Sequence, residues 1–330
     1  MLHILTERRA RVQHPFWYES TLGMENAFAA QPGAELQPLH PWIARLNYLI
    51  ALKSCRMLPD VSLRVVPGEL YLFVAMSICD LAHARATLRR VAAKGGRVCL
   101  YCFDTWEPDY RHWEGVFSHI PLHAVFFAYR QSYDYFSRLF DFCHFLPQSW
   151  DDSVFHDQGV PKTRLFLQMG RRVESIHGMI LRYMEERGIP DSPQNYTYRR
   201  SPDEVTFPTI QSTARAVAES RFMVCAPRSV DDPGFTGNVQ DVTARFYEAM
   251  ASKTLIIGYK PRPVFDELFP EDAMVELNPD GSDFAGKIDY FLNHPDEYNR
   301  MVERNYELVM REHTWAARFR QFCAALPQGT

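Results

Sequence analysis

The sequence lacks an excess of charge of either sign. Its 330 residues carry 36 Lys and Arg against 40 Asp and Glu, a net charge of −4. No broad basic field exists to track a phosphate backbone, which argues against nucleic-acid binding; a local arginine cluster could still hold a small anion. Cysteine is sparse and scattered. The seven, at 55, 79, 99, 102, 143, 225 and 323, are odd in number, so buried thiols in a reducing cytosol are expected rather than a disulfide framework. Cys99 and Cys102 share a strand pattern and point to opposite faces, a poor geometry for a metal or redox pair. No uninterrupted apolar run approaches the ~18 residues that span a bilayer. The N-terminal MLHILTERRARVQHP has too short an apolar run for a signal peptide. These features predict a cytoplasmic chain without a transmembrane segment, and leave a peripheral membrane contact open. There is no internal repeat and no Asp-x-Asp metal motif in a suitable context. His112, His119 and His123 are irregularly spaced, with no Cys or acid framework. Neither a metal nor a cofactor is expected.

What is present is an alternation of strands and helices. Apolar residues make up 46% and charged residues 23%, an ordinary globular balance in a chain long enough for two domains. Strand patterns fall at 2–6, 69–76, 97–103, 123–128 and 142–146, with helices at 41–58, 80–93 and 132–139 between them. Residues 8–33 read as an irregular loop rich in aromatics (Phe16, Trp17, Tyr18). A polar, proline-bracketed stretch, 147–162, reads as a linker. The alternation then restarts with strands at 163–169, 195–198, 222–225, 254–258 and 273–276 and helices at 173–187, 208–220, 241–251 and 263–269. Helices at 282–292, 295–312 and 314–326 finish the chain. Such alternation predicts parallel α/β sheets, and two halves in succession predict a bilobed molecule. Ligands of such sheets sit beyond the strand C-termini, here in the cleft between the lobes.

The stretch RFYEAMASKTLIIGY, 245–259, sharpens that expectation. The apolar strand within it belongs in the middle of the second sheet. The helix before it therefore starts at the strand C-terminal edge, with Asn238 or Asp241 as its cap. Its free N–H groups and dipole suit a phosphate. Glu248, two turns in, is placed to accept hydrogen bonds from neutral hydroxyls such as those of a ribose. Arg245 is three residues before it and within pairing distance along the helix.

The segments ARFYEAMASKTLIIGYKPRPVFDELFPEDAMVEL and YFLNHPDEYNRMVERNYELVMREHTWAARFRQF resemble the C-terminal domain of GT-B glycosyltransferases of the group-1 class and its spore-coat-related members. The resemblance covers about 160 to 326. It implies an α/β, GT-B fold: two Rossmann-like domains, 1–155 for the acceptor and 156–330 for a nucleotide-sugar donor, with the last helix, 314–326, packing back on the first domain. It implies a glycosyltransferase acting on a glycan, lipid-linked or small-molecule acceptor. Glu248 matches the residue that bonds the nucleotide ribose. Gly170 and Arg171 match the Gly-Arg pair at the end of the first C-domain strand, whose arginine meets the diphosphate. Gln240 stands where the family often has a first glutamate. Lys253 stands where the motif has glycine, and the lysine usual after Gly-Arg is missing, with His177 nearby. Gln240 and Lys253 keep open a rival reading as a degenerate nucleotide-sugar or glycan-binding module. A sugar-nucleotide epimerase can share the two-lobed fold, but it would need acid/base carboxylates and a His around the sugar, and the sequence shows no such cluster. Arg228 and Lys260 follow strands and face the same edge, so the donor set is Gly170, Arg171, Arg228, Gln240, Asp241, Arg245, Glu248 and Lys260. A general base would come from a first-domain loop after a strand, with His14 and Asp104 as candidates.

Overall fold

The structure is a computed structural model that describes residues 1–8, 19–51, 57–170, 172–190, 207 and 209–326. It forms two compact units. The first comprises Met1–Gln148, Gly234–Val239 and Trp315–Thr330; the second comprises Ser149–Pro233 and Gln240–Thr314.

In the first unit, β1 (Leu2–Thr6), β2 (Ala34–Pro38), β3 (Leu70–Ala75), β4 (Arg97–Cys102), β5 (Leu122–Phe127) and β6 (Cys143–Phe145) form one sheet, in the order β2-β1-β3-β4-β5-β6. Every pairing is parallel. All five residues of β1 are buried, and so are the last five of β3 and of β4. Burial of consecutive residues means that both faces of the sheet are covered, which is why these strands read as continuous apolar runs. The last helix, Trp315–Ala325, joins this core. Phe28 packs edge-on against Trp315, Phe319 and Phe322. Residues 234–239 are held here too: Glu107 Oε2 accepts the Asn238 N–H at 2.7 Å, and Val239 is buried.

The expected loop 8–33 is corrected by the structure: it contains the helix Glu19–Ala29, and β2 follows at once. The helix has no clean apolar stripe because its inner face carries Thr21 and Glu25, both buried. Glu25 is enclosed because Thr6 Oγ1 donates to its Oε2 at 2.6 Å and Arg8 Nη2 donates at 2.9 Å. A second unforeseen helix, Tyr110–Phe117, buries Tyr110, Trp113, Val116 and Phe117.

In the second unit, β7 (Arg164–Gln168), β8 (Ser220–Cys225), β9 (Leu255–Gly258) and β10 (Val275–Glu276) form a parallel sheet in the order β10-β9-β8-β7. β9 is an inner strand, as its apolar run predicts. The strand expected at 195–198 lies outside the described residues. The stretch 147–162 contains the boundary between the two units, after Gln148, but it is packed rather than solvated throughout. Trp150 and Phe155 are buried, Trp150 stacks on Tyr247 at 5.9 Å, and Trp150 Nε1 donates to the Phe155 carbonyl at 2.9 Å. Two large aromatics outweigh the polar composition around them. Among the described residues, no helix is long and apolar enough to cross a membrane.

Lys253 has φ +52, a left-handed backbone that glycine adopts without strain. The motif's glycine position thus keeps its conformation with a lysine in it. The side chain compensates: Nζ lies 3.0 Å from Asp157 and 2.6 Å from Glu303, and 4.8 Å from the centre of the Tyr306 ring. Lys253→Ala loses these contacts and keeps the strain, whereas Lys253→Gly loses the contacts and removes it. Denaturant melts should therefore place Lys253→Gly within about 1 kcal/mol of wild type and above Lys253→Ala by a similar margin. The reverse order would show that the backbone here is unstrained.

Candidate functional site

The site is built where β7 ends. Beyond Gln168, the chain turns at Gly170, with φ +79. A Cβ on Gly170 would lie 1.9 Å from Nη2 of Arg245, so the glycine is what lets that guanidinium approach. Arg245 Nη1 donates to the carbonyl of Met169. The arginine is therefore drawn off its own helix onto the C-terminal end of β7.

That helix spans Ala244–Ala251, and its start corrects the expected cap. The N-cap residue is Thr243, not Asn238 or Asp241. Asn238 is committed through its N–H to Glu107, and Asp241 is buried. Phe246, Tyr247, Ala249, Met250 and Ala251 form the packed face, which leaves Arg245 and Glu248 together on the other.

Glu248 is half-buried overall, yet its Oε2 is enclosed and has no hydrogen-bond partner. Burial pushes its carboxyl up to about 7; Arg245 pulls in the opposite direction, and Asp151 adds a smaller upward push. Asp151 arrives from the packed stretch after β6. No local pattern in the sequence marks it as a neighbour of Glu248. An enclosed carboxyl oxygen without a partner makes ionisation of the group costly.

The other expected site residues have diverse positions. Gln240 Oε1 accepts the Arg262 backbone N–H at 3.1 Å. Arg262 in turn forks onto Glu276, with Nη2 at 2.9 Å from Oε2. Lys260 is buried and donates to the Glu271 carbonyl at 2.6 Å, with Glu276 at 3.6 Å. Its amine thus ties the ends of β9 and β10 together. Arg228 follows β8 and donates to Asp232 Oδ2 at 2.9 Å. His177 is buried beside Gln168, with Nδ1 at 3.0 Å from Gln168 Nε2. In the first unit, Asp104 follows β4, and Tyr129 Oη donates to its Oδ1 at 2.7 Å. His14 and Arg171, as well as Phe16, Trp17 and Tyr18, lie outside the described residues.

Comparison with known proteins bears on the fold. Residues 181–324 match the family model described as glycosyl transferase-like. HepE of Anabaena, solved in complex with UDP and glucose, is similar over 98% of both chains, with a TM-score of 0.61 at 8% identity. Sucrose-phosphate synthase of Thermosynechococcus elongatus is similar over 98% of this chain and 97% of its own, with a TM-score of 0.57 at 10% identity. A glycosyltransferase of Rickettsia africae is similar over 98% of this chain and 96% of its own, with a TM-score of 0.53 at 9% identity. No curated protein matches the chain by sequence at a significant level. The fold is GT-B, with two Rossmann-like sheets, and the likeness to glycosyltransferases in sequence covers residues 181–324.

Proposed function

We propose that this chain transfers a sugar from a nucleotide-diphosphate sugar to a glycan, a lipid-linked acceptor or a small molecule, in the cytoplasm. The observation that carries the reading is the unpartnered, enclosed Oε2 of Glu248 one turn from an arginine folded over Gly170. A carboxylate that accepts from ribose hydroxyls and a guanidinium that meets a diphosphate are what such a donor requires. HepE, which shares the fold, has been solved with UDP-glucose.

In this reading, the donor's nucleoside lies against Glu248. Its diphosphate lies between Arg245 and the first turn of the helix Ala244–Ala251; Arg171, outside the described residues, keeps only the diphosphate role that the resemblance implies. As the sugar–phosphate bond breaks, negative charge grows on the leaving diphosphate, and fixed cations with free N–H groups stabilise that charge more than they stabilise the ground state. The left-handed backbone at Lys253 argues against the degenerate reading, because the motif's conformation survives its substitution. Asp104 is the general-base candidate that lies among the described residues.

Thermal-shift measurements with a panel of nucleotide sugars test the proposal. At 100 times its Kd, a true donor should add about 2.7 kcal/mol of stability, and the free sugar or unrelated anions should add none. Stabilisation followed by slow release of free nucleotide diphosphate marks a transferase. Stabilisation with the donor left intact supports the binding module, and an altered sugar without release supports the epimerase. A flat response to the whole panel removes the donor site.

A further inference from the structure

We infer that donor binding at this site expels a proton at and below neutral pH: the Glu248 carboxyl holds its proton there in a large share of the free protein and ionises when the donor's hydroxyls reach it. The inference rests on the donor-site reading above and adds a dependence on pH to it.

In the free protein, Oε2 of Glu248 is enclosed and unpartnered. A carboxylate charge left there without hydrogen bonds is far more costly than a neutral acid, because burial removes water from the charged form. The titratable and charged groups that face it come from three places. Arg245, on the same helix, favours the charge, but its guanidinium is drawn toward Gly170, where it donates to Met169. Asp151, from the packed stretch after β6, opposes the charge. Cys225, at the end of β8, is a thiol whose own ionisation burial suppresses, so it adds no charge. Burial is the largest of these effects, and the acid titrates at about 7 instead of 4.5.

Donor binding changes the balance. Two neutral hydroxyls that donate to the carboxylate stabilise its ionised form and not its acid form. The proton then leaves to solvent, and the free protein's ionisation cost is subtracted from donor affinity. Affinity should accordingly rise as pH rises through 7 and level off above it.

Isothermal titration with the glucose esters of UDP, GDP, ADP and dTDP, between pH 6 and pH 8, tests this. Each run is repeated in two buffers of different ionisation heat. The diphosphate diester of a nucleotide sugar has no proton to exchange in this range, so a released proton is the protein's. Expected is release of about half a proton at pH 7, and binding about tenfold tighter at pH 8 than at pH 6. If none of the four esters binds, the donor-site reading fails, and this inference with it. If one binds with equal heats in both buffers, the inference fails while the donor site stands. In Glu248→Gln the buffer dependence should vanish, and its persistence would assign the proton elsewhere and overturn the inference. Where that variant binds too weakly to titrate, infrared difference spectra of the wild type decide. The carbonyl band of a protonated acid should disappear on donor addition, and its absence from the difference spectrum refutes the claim.

Discussion

Glu248→Ala is expected to weaken nucleotide-sugar binding about 10- to 100-fold, while Glu248→Gln is expected to melt above wild type at pH 8. Both results come from the same enclosed carboxyl. A hydrogen bond to a charged group contributes about 1.5–3 kcal/mol, which sets the loss of affinity in the alanine variant. The stability effect has the opposite sign. The folded-state titration point of Glu248 is raised from 4.5 to about 7. Below the lower value the acid is protonated in both the folded and the unfolded chain, and it carries no penalty. As pH rises through the window between the two values, the unfolded chain releases its proton first, and the folded state loses stability. Above the upper value the penalty is complete. Discounted for the residue's partial exposure, it is about 1–3 kcal/mol. Glutamine keeps the shape without the charge. Its melting temperature should exceed that of wild type by about 2–4 °C per kcal/mol at pH 8, with the gap closing toward pH 4. A variant that binds donor normally and melts like wild type at both pH values would remove Glu248 from the site.

Gly170→Ala should be as damaging to donor binding as Arg245→Ala. The added methyl meets the guanidinium at 1.9 Å, and the backbone sits at φ +79. A side chain in that left-handed region costs about 1–2 kcal/mol, and the arginine must swing away in addition. The two positions are therefore coupled. Once Arg245 is alanine, the methyl on residue 170 meets nothing of the guanidinium, and only the backbone cost remains. A double-mutant cycle on stability and on nucleotide-sugar Kd should return a coupling of about 1–2 kcal/mol. Binding energy should already be lost in Gly170→Ala, with Arg245 still in place. Additive effects, or a Gly170→Ala variant with unchanged Kd, would show that the arginine's placement over the glycine has no bearing on the donor.

Much of the architecture was legible in the sequence because it is written in short-range periodicity. β3, β4 and β9 are buried on both faces, so their apolar runs stand out from the helical spacing on either side. The helix Glu19–Ala29 escaped the same reading. Its buried Thr21 and Glu25 break the stripe, and only the partners of Glu25 on and after β1, Thr6 and Arg8, explain why that carboxylate is inside. The stretch 147–162 does hold the boundary between the two units, after Gln148, but its polar composition hides the packing that its two buried aromatics decide.

By itself the sequence determined the parallel α/β alternation, the inner position of β9, and the placing of Arg245 and Glu248 on one side of a helix, since all of these follow from the identity of near neighbours along the chain. Tertiary structure alone decided that Arg245 leaves its helix for Gly170, that Asp151 comes up beside Glu248, that Lys260 is spent on tying two strand ends, and that Lys253 can hold a glycine's conformation through Asp157 and Glu303. Each of these depends on groups distant in sequence meeting in space, in enclosed surroundings at Glu248 and Lys260 and at the surface at Lys253. Charge, enclosure and the absence of one methyl group act through space, where no sequence pattern records them.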